Sequence, residues 1–284
     1  MEYLRISVLV VLACCNGAFA QIQHGTTIVI NKTNDKIMVA ADSRGFNFAD
    51  PPDDCECKIA ALGKYTIYAA SGAPNLKFLL GTGPSWNSSE EAHKAYRSLI
   101  SHEGENNFAS MVAKEWGRAL AFNWSIAYKH DSKIVLRASD ANGGYLVRAF
   151  FGWTDSKGQN LVALFTEITV DPKRFPIILA SDPTEDTSRD FWTLGIAEMV
   201  NEFINPKSEI TKLERAYQLT ILSTNPPDAD IWKIARYVQL EITYHVPGRG
   251  PTAISEIGGS VDAVTLTKGE GVRWFQRKSN CPAE

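Results

Sequence analysis

Much of the chemistry that a 284-residue chain can carry is absent from this one. Its five histidines are scattered, with no H-E-x-x-H or C-x-x-C pair, so no metal or cofactor is expected. There is no Gly-rich phosphate loop; the nearest look-alike, Pro247-Gly248-Arg249-Gly250, lacks both the lysine and the strand context. The G-x-S-x-G elbow of a Ser–His–Asp hydrolase is missing. A net charge of −3 gives no reason to invoke nucleic acid or an anionic membrane. Five cysteines are too few for a disulfide framework. The apolar run Ile6–Ala13 is too short to span a bilayer, so no stable membrane span is expected.

That run instead reads as the core of a secretory signal. Arg5 supplies a positive flank, and Ala18-Phe19-Ala20 is a small-x-small cleavage site, so residues 1–20 are expected to be removed and the protein secreted. Export leaves Cys55, Cys57 and Cys281, an odd number. Cys55 and Cys57 are too close in sequence for an easy mutual bridge, which favours a disulfide to Cys281. Asn31, Asn87 and Asn123 head glycosylation triplets. A hydrophobic content of 44% is ample for one large core.

Periodicity gives a coarse map. Thr27–Ile30 and Ile37–Ala41 are β-rich runs joined at Asn34-Asp35, a hairpin pattern. The polar link Asp50–Asp54, with two prolines, is expected to stay outside any sheet. Lys58–Leu62 and Tyr65–Ala70 form a second hairpin pattern turning at Gly63-Lys64. Ser88-x-x-Glu91 is a capping box opening a helix through Ile100, and Phe108, Val112, Trp116 and Leu120 mark another. Strands are expected at Tyr145–Trp153, Gln159–Thr169 and Pro176–Ser181. Helical stripes follow at Trp192–Phe203, Ile210–Ile221 and, capped by Asp228, Ile231–Ile242. Val261–Thr267 and Val272–Phe275 close the chain as strands.

The stretch His24–Gly45, HGTTIVINKTNDKIMVAADSRG, organises the rest. It resembles the start of proteasome β-subunits and of the bacterial HslV protease, whose mature chains begin at the first Thr of a TT pair after a Gly. That Thr is Thr26 here, preceded by Gly25. The family's Asp follows 16 residues later, as Asp42 in Ala-Asp-Ser-Arg; its Lys another 16 on, as Lys58; and its turn Gly 14 beyond that, as Gly72 in Ala-Ala-Ser-Gly-Ala. No gap is needed across those 46 steps. The motifs cover Gly25–Gly72, and the element order covers nearly the whole mature chain. Two departures stand in the C-terminal half: an extra helical pattern between Ser181 and Gly258, and apolar Ile254 and Ile257 where the family's Asp-x-x-Ser-Gly-Gly element is polar.

The resemblance implies an α+β fold, the four-layer αββα sandwich of N-terminal-nucleophile hydrolases with antiparallel sheets. Its domains would be a signal (1–20), a propeptide (21–25) and one catalytic domain (26–284). It implies a threonine hydrolase that frees Thr26 by self-cleavage and then cuts peptide bonds through an acyl-Thr26 intermediate. The α-amine of Thr26 would act as base, with an ordinary pKa of about 7.7–8.0. The Lys58 ammonium disfavours protonating that amine, and Asp42 pairs with and orients Lys58. Gly72 would offer a backbone N–H to the oxyanion, and Ser181 would support the nucleophile. Substrate selection is expected at Glu56, Ala60 and Ala70, with the Glu56 carboxylate favouring a basic side chain. Two other readings stay open: a small-molecule amidase or acylase on the same fold, and a non-catalytic binding protein. Either enzyme reading admits a homo-oligomer.

Overall fold

Alternating β-branched residues and a polar Asn-Asp corner give the first hairpin: β2 (Thr27–Lys32) pairs antiparallel with β3 (Lys36–Ala41), Ile28 opposite Ala41. The protein is described here from a computed structural model, which covers residues 20–22, 25–47, 50–54, 56–78, 85–171, 177–204, 229–244, 257–279 and 281. The expected signal core, Cys55, the helical pattern at Ile210–Ile221, the Asp228 cap, Pro247–Gly250 and Ile254–Glu256 lie outside those residues.

Ahead of the hairpin runs a short strand, β1 (Ala20–Ile22). After it come β4 (Gly45–Asn47) and β5 (Asp50–Asp53), paired with each other alone. The Pro-containing link is therefore a strand, contrary to the sequence expectation. A two-stranded ribbon leaves each strand one open edge, where a proline's missing N–H is tolerated. The second hairpin is β6 (Ile59–Gly63) and β7 (Thr66–Gly72), its turn one residue later than expected. Next come β8 (Asn75–Phe78), which pairs with β1, and β9 (Trp86–Asn87).

The helix α1 (Ser88–Leu99) is capped by Asn87, not by the Ser88 box: the extended Asn87 accepts N–H bonds from Ser89 and Glu90. α2 (Phe108–His130) buries the expected Phe108, Val112, Trp116 and Leu120. A third helix, α3 (Ser132–Ala141), was not anticipated; Asp131 breaks the long helical run and caps the new one. β10 (Tyr145–Thr154), β11 (Leu161–Asp171), β12 (Ile177–Ala180) and β13 (Thr184–Glu185) follow.

The stripe beginning at Trp192 departs most from its helical reading. Phe191–Gly195 forms strand β14 along β2, and only Glu198–Ile204 is helical (α4). The open edge of β2 supplies a ladder, and Trp192 and Leu194, both buried, then share one face. α5 (Ala229–Tyr244), β15 (Asp262–Thr267) and β16 (Gly271–Gln276) complete the chain.

The result is an α+β fold built on two antiparallel sheets. One has the order β12-β11-β10-β7-β6, with β13 on β11; the other is β14-β2-β3-β15-β16. Ile28, Ile30, Ile37 and Val39 pack with Ile67, Ala69 and Phe150 of the other sheet. Val29, Met38 and Ala40 point the opposite way, into a cluster with Val200, Ile234 and Val238 of α4 and α5. On the first sheet's far side, Tyr68, Phe151 and Trp153 pack with Trp116, Leu120 and Trp124 of α2. A disulfide joins Cys57 to Cys281, as the cysteine arithmetic favoured. Among the described residues no helix is long and apolar enough to cross a membrane, and no His/Cys/Asp/Glu group could hold a metal.

Candidate active site

Three of the residues singled out by spacing meet at the start of β2. The alternation that sends Ile28 and Ile30 toward the other sheet places Thr26 on the same side. Thr26 is 3% exposed, Lys58 5% and Asp42 0%, so the group is buried. Lys58 precedes β6 on that other sheet. Its ammonium donates to Asp42 Oδ1 (3.0 Å), to the carbonyl of Gly25 (2.6 Å) and to that of Arg44 (2.5 Å). The hydroxyl of Thr26 donates to the same Gly25 carbonyl at 2.7 Å.

Asp42 is fully engaged. Besides Lys58, its Oδ1 accepts the N–H of Thr27 (2.8 Å), and its Oδ2 accepts those of Arg44 (3.2 Å) and Gly258 (3.1 Å). The Ile257-Gly258-Gly259 element thus docks on the Asp42 turn, the Gly258 carbonyl accepting from Ser43 and Arg44. An ion pair removed from water this completely needs such satisfaction, because each charge left bare would cost several kcal/mol, on the order of a lost buried partner.

A cavity of about 350 Å³ opens beside Thr26, lined in part by Gly25, Gly72, Tyr145, Gly195 and Glu198. Gly72 is thus part of the wall beside Thr26. Its backbone runs against the next strand so closely that a Cβ would lie 2.5 Å from the Leu146 carbonyl oxygen.

Ser181 does not join the group. It follows β12, is exposed, and its hydroxyl accepts the N–H of Glu167 at 2.9 Å. Glu167 pairs with Arg148, and Arg148 with Ser71, so Ser181 lies three strand spacings, about 14 Å, from the Ser71 position. Nor does Glu56 line the cavity; its carboxylate accepts from Asn75 Nδ2 at 2.5 Å. Ala60 and Ala70 pack against the α1–α2 core and are likewise not in the cavity wall.

Sequence reasoning missed Gly195, Ile196 and Ser71. Ile196 N–H donates to the Thr26 carbonyl at 2.7 Å, and its carbonyl accepts the Thr27 hydroxyl at 2.6 Å. Ser71 is fully buried, its Cβ 3.3 Å from where a Gly195 Cβ would stand, and its hydroxyl has no partner among the described residues. The positive φ of Gly195 left only a generic Gly signal, and Ser71 was hidden inside the Ala-Ala-Ser-Gly turn. The chain matches no protein-family model, and no curated protein is similar to it.

Proposed function

We propose that the chain is a secreted, self-processing threonine hydrolase with the four-layer αββα architecture of proteasome-like N-terminal-nucleophile enzymes, acting on amide bonds of peptides. The observation that carries this reading is the Lys58 ammonium, which is held by Asp42 and aimed at the carbonyl of Gly25, the bond immediately before Thr26. The stacking of two antiparallel sheets with helical clusters on their outer faces supports the architecture.

In maturation the Thr26 Oγ attacks the Gly25 carbonyl carbon. The oxyanion that develops on the Gly25 oxygen meets Lys58 Nζ at 2.6 Å, a charge-assisted contact that strengthens as negative charge grows. The Gly25 C–N bond then breaks, the hydroxyl proton ends on the Thr26 nitrogen, and an ester joins Gly25 to Oγ. Water hydrolyses that ester to a Gly25 carboxylate and a free Thr26 hydroxyl. The released α-amine then serves as base for Oγ on a substrate amide, and the same ammonium disfavours its protonation.

The experiment is intact-mass or N-terminal sequencing of secreted protein. A chain that begins at Thr26 is the expected result. One that begins at Gln21 and stays so would remove the catalytic amine and sink the proposal.

A further inference from the structure

The cavity beside Thr26 has one wall whose chemistry the reading above does not use. Glu198, in the first turn of α4, lines it together with Asn142, Tyr145 and Asn201. Among the described lining residues Glu198 is the one that carries a carboxyl, ammonium or guanidinium group, and it makes no ion pair or hydrogen bond with any described residue.

A carboxylate in a first helical turn often does no more than complement the helix dipole. Here that end of α4 already has a carboxylate at its backbone: buried Glu241 accepts the N–H of Val200 at 2.8 Å. Two cations stand beside the lining and each has its own carboxylate: Arg148, whose guanidinium lies over the Tyr145 ring, is paired with Glu167 at 2.6 Å, and Lys58, whose ammonium reaches the Gly25 carbonyl, with Asp42 at 3.0 Å. The cavity thus presents one uncompensated negative charge, with Asn142 and Asn201 adding amide groups to its polar wall. Asn201 is fixed by the Thr193 hydroxyl and Asn142 by the Ala138 carbonyl, which keeps that wall in place.

We infer that this cavity is a subsite for a positively charged substrate group, a lysine-like side chain or an alkylammonium, with Glu198 as the selecting carboxylate. The inference rests on Thr26 being the reacting residue, and it replaces Glu56, which is engaged elsewhere, as the source of a basic preference. Glu198 is exposed, so the discrimination is modest, about three- to fivefold, and shrinks with added salt.

The test uses matched amides carrying lysine or its neutral isostere norleucine, in one series just before the scissile bond and in another just after it. Turnover is read on the mature protein, and binding on the same preparation by titration with the matching ketomethylene isosteres, which have no amide bond to cleave. In at least one series the lysine amide should be favoured about three- to fivefold in kcat/KM and in Kd. The ratio should fall to one in Glu198→Gln and invert in Glu198→Lys. Equal binding of the two amides in both series, or a lysine preference that survives Glu198→Gln, overturns the subsite. A Glu198-dependent preference in binding with no cleavage of any amide would support the subsite while counting against the hydrolase reading.

Discussion

Gly195 packs directly on Thr26: a Cβ built on it would stand 1.9 Å from the Thr26 carbonyl oxygen. The approach lets the next residue, Ile196, donate its N–H to that oxygen, so the strand β14 clamps the residue after the scissile bond. Gly195 also has a φ of +77°, a conformation in which a side chain is strained regardless of space. Gly195→Ala should therefore separate β14 from Thr26, costing at least the roughly 1–3 kcal/mol typical of a forced backbone. Urea unfolding and the fraction processed at Thr26 check it. Wild-type stability with wild-type processing would show that the clamp is not needed.

Lys58 tests chemistry and fold together, and the two must be separated. Removing it leaves Asp42 fully buried without its cation, which costs roughly 3–5 kcal/mol by comparison with other broken buried pairs. Thr26→Ala removes a hydroxyl whose one hydrogen bond among the described residues is to its neighbour's carbonyl, so its cost should be small, about 1 kcal/mol. Both variants should keep Gly25 attached. Unfolding curves should distinguish them, Lys58→Ala being much the less stable. Equal stability of the two would mean that the Lys58–Asp42 pair contributes nothing to the fold.

The site's sequence-local half was legible and its long-range half was not. Thr26 and Asp42 flank one hairpin, whose register sets them side by side, and Lys58 opens the next hairpin on the facing sheet, where the apolar faces that stack the two sheets bring it to them. Ile196 reaches Thr27 from 169 residues away and Gly258 reaches Asp42 from 216, and no local pattern encodes either approach. The stripe at Trp192, Ile196, Met199 and Val200 fits helical spacing well. The free edge of β2 decided instead for a strand, a tertiary effect that propensity does not contain. Ser181 was placed by position in the chain, and the sheet order carries that position across three strands from the site.

Acid stability should track two carboxylates held below the ordinary range. Asp54 is lowered chiefly by its hydrogen bond from Arg44, at 2.5 and 2.9 Å, and Asp186 by the Ser188 hydroxyl, with Trp192 and Arg189 assisting. A depressed folded-state pKa means that the contribution is present above the unfolded value, about 3.9, and is lost as pH falls through the folded one. The stability gap between wild type and Asp54→Asn, or Asp186→Asn, should be full at pH 6, begin to shrink as pH falls toward the unfolded value of about 3.9, and vanish only below the depressed folded one. A gap of the same size at pH 2 as at pH 6 would assign the effect to lost packing instead.

The disulfide ties Cys57, the residue before Lys58, to Cys281, 224 positions away in sequence. In the chain-entropy account a closed loop of that length stabilises by about 5 kcal/mol, against a usual 2–4. The C-terminal segment has other anchors. Lys278 pairs with Asp262 at 3.0 Å and its ammonium also reaches the Glu56 carbonyl, one residue from Cys57. These contacts act in the folded state and need no bridge, whereas the bridge acts mostly by restricting the unfolded chain. Cys281→Ser should therefore lower the urea midpoint strongly while leaving the Lys58–Asp42 pair in place. At temperatures where the variant remains folded, its processing at Thr26 should stay within about twofold of wild type, since no bond of the reacting group is removed. Loss of processing in a variant that is still folded would show instead that the bridge holds Lys58 in position, making the site itself redox-sensitive.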